Sequence, residues 1–108
     1  MQRSNLFAHI ELSKFVAGLK LDPEECRSSL ISQHAYFLLI PSRMFSDQLV
    51  PEWEDICATV FRSGPARDDE GRIVANAVRN TIRQMSREEC IEIVKRVMSL
   101  QQKVAAEF

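Results

Sequence analysis

With 108 residues, 45% of them apolar and 27% charged, the chain has the size and composition of one ordinary globular domain. A chain of this length buries roughly 65% of its unfolded surface without a disulfide or metal staple. The formal charge of −1 argues against wholesale electrostatic capture of nucleic acid or a membrane surface, which relies on a strongly basic protein.

In chain order, the segment from Asn5 to Lys20 predicts a first helix, with Leu6, Phe7, Ile10, Phe15, Val16 and Leu19 forming an apolar stripe. Leu21-Asp22-Pro23-Glu24-Glu25 reads as the best helix start in the sequence. Asp22 is placed to cap, Pro23 fits the first helical position, and the glutamates complement the helix dipole. This second helix is expected to run to Pro41. Its apolar end, Ala35 to Ile40, is read as helix rather than strand because no alternating partner strand is evident. Pro41 to Val50 reads as a loop or short helical turn. Pro51 then opens a third helix carrying Trp53, Ile56, Cys57 and Val60, which ends at Ser63-Gly64-Pro65.

A fourth helix is expected from Arg72 to Met85, capped by Asp68. Turned at about 100° per residue, it sets Arg72, Asn76, Arg79 and Arg83 against Ile73, Val74, Ala77, Val78, Ile82 and Met85. Ser86-Arg87-Glu88-Glu89 matches a capping box and starts the last helix. There the apolar set Cys90, Ile91, Ile93, Val94, Val97, Met98, Leu100 and Val104 covers about half the circumference, more than a one-sided surface helix needs. The last helix is therefore either central in the fold or half-covered by a second subunit. The starts Leu21–Cys26 and Met85–Cys90 share one pattern, which independent capping explains without a duplication.

Little in the chain points to chemistry. Cys26 and Cys90 each follow two glutamates that oppose thiolate formation, and Cys57 lies on an apolar face, so all three read as small buried hydrophobes. Three cysteines without a paired spacing imply a reducing, cytoplasmic setting rather than a disulfide framework. Met1 to Phe7 carries no apolar stretch of leader length, and no run reaches the eighteen or so apolar residues of a membrane span. His34 reads as a core histidine and His9 as a rim residue. No metal site is expected from two histidines and scattered cysteines, and no cofactor without a phosphate-binding glycine loop. The acidic run Asp68-Asp69-Glu70 lacks the alternation of a calcium loop.

The arginines remain. A guanidinium pairs bidentately with carboxylate or phosphate, so Arg72, Asn76, Arg79 and Arg83 form a candidate partner-binding row, unless they are a solvated face laced with internal salt bridges. A helix-turn-helix reading is opposed by Glu88, Glu89 and Glu92 in the half of the last helix that would approach DNA. The expectation is an all-α, single-domain bundle of four to five helices over residues 1–108. It is read as non-enzymatic, binding a protein partner or itself as a homodimer through Ile93, Val97, Leu100 and Val104. The alternative is nucleic-acid binding by the arginine face.

Overall fold

The computed structural model describes residues 5–108, so Met1 to Ser4 of the segment read for a leader lie outside it. The chain forms α1 (Leu6–Ala17), α2 (Cys26–Ser32), α3 (Tyr36–Leu39), a 3-10 turn (Ser42–Met44), α4 (Val50–Phe61), β1 (Ala66–Arg67), β2 (Ile73–Ala75), α5 (Ala77–Gln84) and α6 (Arg87–Ala105). An all-α bundle is the architecture, with one small antiparallel hairpin added between α4 and α5. Among the described residues no helix is long and apolar enough to cross a membrane.

The last helix is the spine. Ser86 Oγ accepts from Glu89 N at 3.1 Å while Glu89 Oε1 accepts from Ser86 N at 2.9 Å, closing the expected capping box. This reciprocal pair satisfies two amides that the helix itself leaves unbonded. Helix α6 packs against α1, α2 and α4. Ile93, Val97, Leu100 and Val104, expected at a dimer interface, are buried by their own chain, the last three with no exposed surface. The broad apolar arc reflects a helix surrounded by its own fold, not one awaiting a second subunit.

Around the spine, Phe15 stacks on Tyr36 at 5.1 Å and meets Phe37 edge-on at 5.0 Å, and Phe37 in turn stacks on Trp53 at 5.8 Å. Trp53 donates its indole N–H to Ile40 O at 3.0 Å, satisfying the one polar group of the largest buried side chain. These rings join α1, α3 and α4 in one core.

Three expectations about the helices need correction. The first helix buries Ala8, Leu12 and Phe15, leaving Phe7 and Ile10, read as part of its apolar stripe, exposed. The apolar residues of α1 lie nearly all round it, so the stripe that faces inward was chosen by its neighbours rather than by its own pattern. The second helix does not run to Pro41: it stops at Ser32, turns through Gln33–Ala35 and resumes as the single turn α3. Nor is Asp22 its cap. Asp22 Oδ1 accepts from Glu24 N at 2.7 Å in a turn that precedes the helix, which starts at Cys26.

The largest correction falls on Arg72–Met85, which is not one helix. Arg67 pairs with Ile73 and Ala66 with Ala75 across a bulge, and the helix begins only at Ala77. Asp68 does not cap it. Its Oδ1 instead accepts from Glu70 N and Arg72 N, both at 2.9 Å, and organises the turn of the hairpin. Gly71 adopts φ +84°, a conformation nearly closed to other L-residues, and the β-branched Ile73-Val74 pair favours extended backbone. The hairpin amounts to an arm whose two strands pack mainly on each other.

Candidate functional site

The hairpin dissolves the four-residue row expected on one helix face. Arg72 lies in the arm, and its guanidinium donates to Asp68 Oδ2 at 3.3 Å and to Glu70 Oε1. It is committed to carboxylates of its own turn. Asn76 is the N-cap of α5, its Oδ1 accepting from Arg79 N at 2.9 Å. Its amide nitrogen lies 2.9 Å from His34 Nε2, while His34 Nδ1 lies 2.8 Å from Ile31 O. One assignment satisfies every contact: His34 donates from Nδ1 to Ile31 O and accepts at Nε2 from Asn76, which keeps its oxygen for the cap. A loop histidine thus ties the end of α2 to the start of α5.

Arg79 and Arg83, one turn apart on α5, differ from Arg72. Among the described residues neither has a carboxylate within salt-bridge distance, and Arg79 Nε is buried without an acceptor. A buried donor left unbonded costs about 1–3 kcal/mol. By contrast Arg62 is paired with Glu89 at 2.8 Å, Arg87 with Glu24 at 3.3 Å and Arg96 with Asp55 at 2.6 Å. The row therefore splits into Arg72, held by its own turn, and two arginines with no carboxylate partner among the described residues, Arg83 exposed and Arg79 half-buried.

A basic residue overlooked by sequence reasoning is Arg27. From α2 it donates to Ile82 O at 2.6 Å and Arg83 O at 3.3 Å in the last turn of α5, where Ile82 O also accepts from Met85 N at 3.2 Å. Nothing in its local sequence announces this contact, which spans 55 residues.

The arm leads directly into α5. Its base is held by Asn80 Nδ2 donating to Gly64 O at 2.8 Å and Ser63 N donating to the buried Thr81 Oγ1 at 3.1 Å. Beyond this base Ile73 and Val74 are 57% and 61% exposed. Successive strand residues point to opposite faces, so the arm carries an uncovered aliphatic side chain on each.

A second feature lies between α3 and α4, where a cleft of about 430 Å³ is walled by Phe37, Ile40, Trp53, Cys57 and Phe61, with Glu54 and Ser42 beside them. Burial, reinforced by the Glu54 charge, pushes the Cys57 thiol up to about 12. Burial also raises Cys26 and Cys90, so it is chiefly loss of water, more than the flanking glutamates, that opposes thiolate formation at all three. Among the described residues no group of His, Cys, Asp or Glu is arranged to hold a metal ion.

Comparison with known protein families, with characterised proteins and with solved structures gives no match to this chain. The arm, the free arginine pair and the cleft therefore have to be read from their own chemistry.

Proposed function

We propose that the protein is a non-enzymatic interaction module that binds another protein through the arm and the adjoining Arg79–Arg83 face of α5. The observation that carries this reading is the exposure of both Ile73 and Val74 on an arm whose strands rely mainly on each other. A two-stranded hairpin is at best marginally stable in water, and strands this short gain most from being covered. Next to it, Arg79 and Arg83 suit a partner surface that sets carboxylates beside an apolar recess, because arginine and aliphatic anchors together are typical of interface centres. Three cysteines, all free, fit a reducing, cytoplasmic setting.

The test is affinity capture with the full chain and two paired variants, Ile73→Asp with Val74→Asp and Arg79→Glu with Arg83→Glu. A partner retained by the parent and by an exposed control, Lys95→Glu, is expected to be lost with both pairs. Identical captures from all four proteins would overturn the reading.

The second reading, nucleic-acid binding, draws on the same free guanidiniums, joined by Arg43 and Arg67, which also lack a carboxylate partner among the described residues. It requires affinity for random single or double strands that falls steeply with salt and disappears in the Arg79→Glu, Arg83→Glu protein.

A further inference from the structure

We infer that the α3–α4 cleft is a binding site for a small amphiphilic cation, an ammonium group carried on an apolar body. The site shares no residue with the arm or with the Arg79–Arg83 face, so it stands whether or not those bind a protein. Its lining sets the apolar part of the ligand. Phe37, Ile40 and Trp53 are almost wholly covered, while Cys57 and Phe61 are half-buried and keep surface open to an occupant. A volume of about 430 Å³ falls within the ~300–1,000 Å³ range of small-molecule sites, where apolar walls supply most of the contact and a few polar groups fix orientation. The α4 part of the lining, Trp53 to Phe61, rises only about 12 Å along the helix axis. That is room for one small molecule and too short for a docked helix or strand.

Charge decides the head group. Helix α4 carries three acids, of which Glu52 is bonded to Lys103 at 2.8 Å and Asp55 to Arg96 at 2.6 Å. Glu54, the one charged residue of the lining, has no cation within ion-pair distance among the described residues. No lysine or arginine lines the cleft to oppose a positive ligand. The Glu54 charge reaches the interior, since burial, reinforced by Glu54, pushes the Cys57 thiol up to about 12. A thiol so firmly protonated is a poor nucleophile at neutral pH, and the ligand is held without a covalent bond. The rings add an attraction of the same sign, because the negative face of an aromatic ring draws an ammonium lying within about 6 Å of its centroid. An anion would meet repulsion from both, and a neutral ligand would leave Glu54 unpaired.

The test titrates the full chain with octyltrimethylammonium, 1-octanol and octanoate, each below its micellar range, by calorimetry and by the emission of Trp53. Trp53 is the only tryptophan of the chain and lines the cleft, so its emission reports the site directly. One equivalent of the cation is expected to bind about tenfold tighter than 1-octanol, with octanoate weakest, and added salt should narrow the gap. Glu54→Gln should weaken the cation about threefold to fivefold and leave 1-octanol unchanged, and Glu54→Lys should place octanoate ahead of the cation. Ala58→Phe, at an exposed position of the lining, should block all three ligands. Both positions are exposed, so circular dichroism should show these variants folded. Equal affinity for cation and alcohol, no binding of the cation at millimolar concentration, or cation binding indifferent to Glu54→Lys or Ala58→Phe would overturn the site. So would a mass of twice 12.4 kDa that Ala58→Phe returns to the monomer, because a second copy would then fill the cleft.

Discussion

Asn76 sits at the meeting point of three local structures: it follows the last residue of β2, caps α5 and holds His34. Its oxygen serves the Arg79 amide and its nitrogen serves the imidazole, so a single truncation removes both. Asn76→Ala is expected to cost about 1–2 kcal/mol, the upper part of the range for losing a helix cap, while Asn76→Ser should recover most of it by keeping an acceptor at the cap. Urea denaturation of the two variants separates capping from the histidine tie. Two carboxylates set the response to acid. Backbone donation from Arg72 holds Asp68 below its ordinary value, and donation from Ser86, helped by Arg62, does the same for Glu89. A depressed folded value contributes stability above the unfolded value, near 3.8 for Asp68 and 4.5 for Glu89, and that contribution is lost as pH falls through the folded value. Stability should therefore decline on acidification below about pH 4.5, and Glu89→Gln should flatten the decline, as read from thermal melts across that range.

Among the elements, α6 carries the load that two independent features of its sequence announce: a closed capping box and an apolar arc covering half its surface. Leu100 has no exposed surface, and Leu100→Ala should destabilise the chain by about 2–5 kcal/mol through lost burial and the cavity left behind. Ser86→Ala should cost nearer 1 kcal/mol. Denaturant midpoints of the two variants, compared at a shared slope, give this ranking. The elements around α6 were less readily foreseen. The proline-led α4 and the short turn after Pro41 lie where the sequence puts them, because proline and capping act over a few residues. The break between α2 and α3 and the inward face of α1 depend on partners far along the chain. The 72–85 segment shows the same division in miniature. Its helical spacing was a sound guide from Ala77 onward, but Gly71 and the Ile73-Val74 pair before it belonged to a hairpin whose other strand lies across the Asp68 turn.

At the scale of the molecule, the fold extends 51 × 29 × 19 Å and has a radius of gyration of 14.3 Å, somewhat above the ~13 Å expected for a compact chain of this length. The arm, with few contacts to the helices, is the least protected region, and α6 the most. Hydrogen exchange should accordingly find the amides of Arg67 and Ile73 exchanging far faster than those of Val94 and Val97. Uniform protection across arm and spine would contradict this distribution.

The candidate site was partly visible from residue type. Arginine density around α5 pointed to Arg79 and Arg83, yet the pattern had no means of separating them from Arg72, because a guanidinium is free or bound according to which carboxylates the turn beside it brings near. The cleft left no trace in the sequence at all, since Phe37 and Phe61 reach it from different elements. By itself the chain determined that it would be helical, that Ser86 would open the longest helix, and that Cys26 and Cys90 would serve as buried hydrophobes, whereas Cys57 is only half-buried and lines the cleft. These outcomes follow from capping, periodicity and apolar content, which operate within a few turns. Only tertiary packing decided that α6 is enclosed by its own fold, that an arm stands where a helix was expected, and that Arg79 and Arg83, unlike Arg72, have no carboxylate partner among the described residues. Each of those depends on contacts between segments dozens of residues apart, where burial and pairing outweigh local preference.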